Sequence, residues 1–162
     1  MKVLAFIVAI CLCLVFSGDL FGQETVSRSK DSLMQYSVNY AVEKMVSDIG
    51  NIYFDSGSFE LDKRNEFKLN KLVQILDNHP TFEILVVAHS DTKGTVLYNQ
   101  KLSEKRAEIV KRFLIKGKVS ENRIYIESFG ENRPKNKCDE TAVCDAALHR
   151  ENRRVEFVVF SD

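Results

Sequence analysis

Residues Phe82 to Ala88 read Phe-Glu-Ile-Leu-Val-Val-Ala, an almost continuously apolar run. Pro80 precedes it and the polar turn Ser90 to Gly94 follows it, so the run fits a buried strand rather than a helix. A strand apolar at both parities is expected where both faces are covered. Helical patterns flank it on either side. Leu61 to Asn78 places Leu69, Leu72, Val73 and Leu76 on one stripe, with Pro80 as its stop. From about Tyr98 to Lys116, Leu102, Ile109 and Phe113 share a stripe, with Val110 and Leu114 beside them and Gly117 as a terminator. Ile52 to Phe54, Ile124 to Ile126 and Val155 to Phe160 supply three more β-rich runs. The order predicts an α+β fold, a β-α-β-α-β-β sandwich with helices packed on a mixed four-stranded sheet. Two helical crossovers imply parallel pairs, and the strand order stays open.

The amino-terminal part reads differently. Met1-Lys2 is a short positive region, and Val3 to Phe16 is apolar throughout but shorter than the roughly 20 residues a spanning helix needs. With Ser17, Gly18 and Gly22 after it, this reads as a secretory leader over residues 1–22, cleaved after Gly22 or after Ser17, with an uncleaved membrane anchor as the alternative. Cys11 and Cys13 lie within it behind Ile10 and Leu12, respectively, so the small residue of a lipoprotein signal is missing. Residues 23–50 read as a polar tether with a short helix near its end, where Val38, Val42, Met45 and Val46 fall at helical spacing. Residues 51–162 form the folded domain. The chain of 162 residues balances 23 Lys+Arg against 23 Asp+Glu, and the leader removes one of each sign, Lys2 and Asp19. Without a net field the chain holds no nucleic acid by charge, and any charged ligand must be read by a local constellation.

Cys138 and Cys144 sit close together in a polar loop. In an exported chain such a pair reads as a disulfide, worth about 2 kcal/mol for so small a loop. The rival is a zinc site completed by His149, against which stand the absent Cys-x-x-Cys spacing and the absent fourth ligand. No nucleophile elbow, phosphate loop or metal-bridging carboxylate cluster is present, so catalysis and cofactors have no residue-level support.

Arg106 interrupts the apolar stripe of the second helix, four residues after Leu102 and three before Ile109. A guanidinium is seldom buried unpaired, which leaves two readings. It snorkels along the helix to solvent, or it emerges at a pocket and faces an anion. Asp91, directly after the buried strand, either bonds its own turn, with Gly94 permitting a positive φ, or lies where ligands collect at strand ends. Together the two make a charge pair able to part around a zwitterion, Asp91 taking an ammonium and Arg106 a carboxylate. An arginine present for a ligand is not present for packing, so its removal is expected to spare the fold. His89 alternates with Val87 and Leu85, and a hydrogen-bonded structural histidine fits it better than a general base.

Asn99, Leu102, Ser103, Arg106 and Ala107 form Asn-x-x-Leu-Ser-x-x-Arg-Ala, which resembles the signature of OmpA-like domains. Ala88-His89-Ser90-Asp91 with Gly94 is similar to the family's Gly-His-Thr-Asp-x-x-Gly. Phe129-Gly130-Glu131-Asn132-Arg133-Pro134 and the closing Asn152-Arg153-Arg154 resemble two further motifs, in the family's order, over Asn51 to Phe160. The cysteine-bounded loop running into His149 and Asn152 resembles the subgroup of Bacteroidetes-like bacteria. The resemblance implies non-covalent binding of peptidoglycan through the diaminopimelate of its stem peptide, with Asp91 on the ammonium and Arg106 on the carboxylate. Arg153, Asn99 and the Asp55 turn would line the same pocket. Ala88, Ser90, Ser128 and His149 depart from the family's pattern, which puts the pocket rim in question. A periplasmic location associated with the outer membrane and wall follows, with residues 23–50 available to an outer-membrane or periplasmic protein partner. Two other classes remain: a structural subunit of an envelope complex that keeps the fold without the ligand, and an envelope hydrolase.

Overall fold

The apolar run becomes the middle of a sheet. The computed structural model describes residues 30–138 and 144–161, so the expected leader and the first part of the tether lie outside the described residues. Strand β2 (Glu83–Ala88) lies between β3 (Ile124–Ser128) and β4 (Arg154–Phe160), and β1 (Ile52–Tyr53) completes the order β1-β4-β2-β3. Residues 30–49 are helical (α1), followed by α2 (Lys63–Asn78), α3 (Val96–Lys116) and a short α4 (Ala146–Asn152) before β4. The fold is mixed α+β, as the pattern predicts.

Only one crossover yields a paired parallel neighbour. β2 and β3 are parallel, with Ile84 opposite Ile124 and Val86 opposite Ile126. β4 runs antiparallel to both β2 and β1 and so inserts itself between them. A second expectation also changes. Ile84, Val86 and Ala88 join one core with Leu69, Leu72 and Leu76 of α2 and Val110 and Leu114 of α3. On the opposite parity Leu85 is only half-buried, and its neighbours Tyr125 and Val158 are 46% and 50% exposed. The helices therefore cover one face of β2. Apolar side chains on the open face shield one another, as the Tyr125 and Phe160 rings do at 5.8 Å.

Caps explain the helix starts. Asp62 accepts from the Asn65 N–H at 2.7 Å, so α2 begins at Lys63 rather than Leu61. Thr95 accepts from the Tyr98 N–H at 3.2 Å, so α3 begins at Val96. Each such cap contributes about 1 kcal/mol. Gly117 ends α3, but with φ −75° it is not the left-handed residue, which is Lys118 at φ 71°. Its lack of a side chain serves helix packing, since a Cβ there would lie 2.6 Å from Val73 Cγ2.

Contacts divide the chain after Tyr40. Residues 30–40 are helical and almost wholly exposed, whereas residues 41–49 send Val42 and Val46 into the core. Met45, placed with them by helical spacing, is exposed. The helical stretch is longer than the short helix expected.

Candidate ligand-binding site

The deep stripe of α3 is Asn99, Leu102, Ser103, Arg106, Ala107, Val110 and Leu114, all buried, while Ile109 and Phe113 lie at its half-buried margin. Arg106 is 0% exposed, which rules out the snorkelling reading. Its guanidinium does not hydrogen-bond to Asp91 either. Nε donates to Ser58 O at 2.9 Å, Nη1 to His89 O at 3.0 Å and Nη2 to Asp55 O at 3.1 Å. The Phe54 ring lies 5.1 Å from its Cζ. Burial pulls its pKa down to about 10, opposed by the charge of Asp91 and reinforced by Arg153, so it stays cationic at neutral pH. Arg106 thus ties the β1–α2 turn to the end of β2. Its removal is therefore expected to cost stability rather than spare the fold, because three carbonyls would lose their donor.

The carboxylate of Asp91, 3% exposed, pairs instead with Arg153. Arg153 Nη1 lies 2.9 Å from Asp91 Oδ2, and His149 Nδ1 lies 3.7 Å from the same oxygen. Both contacts fall on Oδ2, leaving Oδ1 outside them. Arg153 Nε donates to Phe54 O at 3.0 Å, which links this cluster to the Arg106 side of the site. Asn99 is 0% exposed; its amide nitrogen donates to Glu131, and its Oδ1 is a buried acceptor with no partner among the described residues. A Cβ on Gly94, whose φ is 113°, would stand 3.6 Å from that oxygen, so the loop after Asp91 closes directly over Asn99. Asp55 enters through its backbone carbonyl, and its side chain is exposed. Asp91, Asn99, Arg106 and Arg153 are therefore gathered at the exit end of β2, with the Asp55 turn beside them.

The remaining motif residues hold this arrangement. Ser103 Oγ donates to Gln100 O at 2.8 Å and accepts from the Gly130 N–H at 3.0 Å. Gly130, at φ 51°, lies so close to α3 that a Cβ would come within 3.1 Å of Gln100 N. Asn152 exchanges two hydrogen bonds with the backbone of Asn136, at 2.9 and 2.8 Å, and so fixes the loop before Arg153. Cys138 and Cys144 form a disulfide with Cα atoms 5.4 Å apart. Thr92 Oγ1 donates to Cys138 O, tying the stapled loop to the residue after Asp91. The disulfide removes the zinc alternative.

Two residues depart from expectation. His89 is buried, yet neither ring nitrogen has a hydrogen-bond partner among the described residues. Its ring stacks on Phe129 at 5.8 Å, and burial, helped by Arg154, pushes its pKa down to about 4. A neutral stacked ring takes the place of the expected hydrogen-bonded one. His149 reaches Asp91, although the sequence marks it only as a rival zinc ligand and a departure from the family's pattern. That position in the motif was the signal that placed it near the site.

A family model described as the OmpA family matches residues 53–146. The peptidoglycan-associated lipoprotein of Buchnera aphidicola subsp. Baizongia pistaciae is 32% identical over 120 residues, covering 72% of this chain and 68% of that protein. The protein of the same name from Legionella pneumophila is 36% identical over 90 residues, which is 56% of this chain and 48% of that one. The chain thus spans only about half to two-thirds of these relatives' own length. The crystal structure of the peptidoglycan-associated lipoprotein from Burkholderia pseudomallei superimposes with a TM-score of 0.62 at 31% identity, covering 68% of this chain and 89% of that one.

Proposed function

The chain belongs to the OmpA family, and on that premise we propose that it grips peptidoglycan without covalent change and links the bacterial envelope to its wall. The observation that carries this reading is the buried group at the end of β2, where Asp91 is held by Arg153 beside Arg106 and the unpartnered Asn99 Oδ1. A buried acceptor without a partner costs stability and is expected where a ligand supplies the missing donor. Asp91 Oδ1 receives the ammonium of the stem-peptide diaminopimelate. Arg106 takes its carboxylate on the two N–H groups outside its three carbonyl bonds, since a guanidinium carries five; because it is 0% exposed, that contact requires the Asp55 turn above it to shift. Arg153 fixes Asp91 beforehand, which lowers the ordering cost of binding. The Asp55 turn and His149 complete the wall.

The names of the curated relatives support this reading, being peptidoglycan-associated lipoproteins. The same reading makes residues 1–22 an export leader and places the mature chain in the periplasm at the outer membrane. It leaves residues 23–50 to a protein partner of the envelope, and assigns the cysteine-bounded loop to the Bacteroidetes-like subgroup. The purified mature chain should sediment with bare sacculi and be released by free diaminopimelate. A chain that is never retained would overturn the wall-binding reading in favour of a structural subunit. Retention that free diaminopimelate leaves untouched would overturn the stem-peptide assignment.

A further inference from the structure

A hollow between the start of α2 and α4 is lined by Tyr53, Asp62, Arg64, Lys68, Arg150 and Glu151, and shares no lining residue with the Asp91 site. Its two acids already hold other partners. Asp62 caps α2 through the Asn65 N–H at 2.7 Å. Glu151 faces Lys135 at 3.2 Å and accepts from Asn136 at 3.1 Å. Those two contacts, Asn136 first, hold its carboxyl below the ordinary range.

The cations are not so provided for. Arg64 and Arg150 meet no carboxylate within ion-pair distance among the described residues. Lys68 is four residues after Arg64, and like charges at that spacing oppose one another on a helix. Its ammonium donates to Asn51 O at 2.7 Å, and burial, then Arg64, pull its pKa down against the opposing charge of Asp62. Three cations therefore share one hollow with two acids, of which Asp62 offsets part of the charge on Lys68, and the positive surplus is what an incoming anion relieves.

We infer that this hollow is a second binding site, taking a carboxylate of the wall peptide on Arg64 and Arg150; this rests on the function proposed above. Guanidinium forks match carboxylates in two parallel bonds. Continuity with the first site picks out the same polymer as the occupant. Arg150 directly follows His149, whose ring lies 3.7 Å from Asp91, so one short helix presents adjacent residues to the two sites. A peptide bearing several carboxylates can engage both, and the second contact then adds to the first without a new encounter.

The test is co-sedimentation with bare sacculi at low and high salt, for the wild type and for the double variant Arg64→Ser/Arg150→Ser. Both side chains are exposed, so the fold should tolerate the change. Unchanged binding of free diaminopimelate by the variant checks that the fold is intact. The expected result is about tenfold weaker retention of the variant at low salt, with a difference that shrinks as salt rises. Equal retention of both proteins at low salt would overturn this second site while leaving the first standing. A wild type that is not retained at all would overturn the proposed function, and this inference with it.

Discussion

At the entrance of β2, Arg123 donates to Leu76 O at 2.9 Å, His79 O at 3.0 Å and Phe82 O at 2.8 Å. At the exit of the same strand, Arg106 donates to Ser58 O, His89 O and Asp55 O at 2.9 to 3.1 Å. Both arginines bind backbone carbonyls of segments that the sheet alone does not hold. What differs is the company. Among the described residues Arg123 has no carboxylate within ion-pair distance and is only half-buried. Arg106 is fully buried with Asp91 and Arg153 as charged neighbours, and Asn99, whose buried Oδ1 has no partner among the described residues, lies two turns earlier on α3. A guanidinium clamped to carbonyls is a structural device, and it becomes part of a site only where an acid and unsatisfied polar atoms share its end of the strand.

The comparison can be broken most sharply at Arg106. Arg106→Ala should cost about 3–5 kcal/mol of stability, because buried carbonyls lose their donor and a cavity opens. Arg106→Lys should recover little, since an ammonium cannot span three carbonyls. Urea denaturation at neutral pH measures both. A variant as stable as the wild type would return Arg106 to the ligand alone.

The next effect in size belongs to His89, at the same end. Its pKa is about 4 in the fold against 6.5 ordinarily. Below pH 6.5 the unfolded chain takes a proton that the folded one resists. Its contribution is therefore intact above pH 6.5 and falls away as pH drops toward 4, by up to about 3 kcal/mol. His89→Phe should flatten that acid limb while keeping the stack on Phe129. Denaturation curves at pH 7 and pH 4.5 compare the two proteins, and identical slopes would remove His89 as the cause.

Arg123→Ala should lose about 2–3 kcal/mol, less than Arg106→Ala because water can reach some of the freed carbonyls. It should leave retention on sacculi unchanged once the fraction folded is matched. Smallest is the staple. Reducing Cys138–Cys144 should lower stability by about 2 kcal/mol. It should also weaken wall retention modestly, since Thr92 anchors the Asp91 loop to Cys138 O. Denaturation and sedimentation with and without reductant would show it, and unchanged retention would free the site from the stapled loop.

These contrasts also mark what the sequence could and could not disclose. The interruption of an apolar stripe by Arg106 and the position of Asp91 after a buried run were legible, because periodicity exposes a charge placed among core residues. The partners of Arg106 were not, since backbone carbonyls leave no trace in residue identity. The pairing of Asp91 with Arg153 joins residues 62 positions apart, and only the insertion of β4 between β1 and β2 brings them together. The half-open sheet was missed for a related reason. Tyr125, Val158 and Phe160 are as apolar as core residues, and periodicity does not tell whether a second layer covers them.

Asp91 is where the account is most exposed. Asp91→Asn keeps the shape and removes the charge offered to an ammonium, so retention on bare sacculi should fall roughly thirty- to several-thousand-fold. The measurement is co-sedimentation of Asp91→Asn beside Arg123→Ala, each at a temperature where both are fully folded. Asp91→Asn should stay in the supernatant while the Arg123→Ala protein pellets like the wild type. Folded Asp91→Asn that pellets with the sacculi would contradict it, and so would equal losses for the two variants.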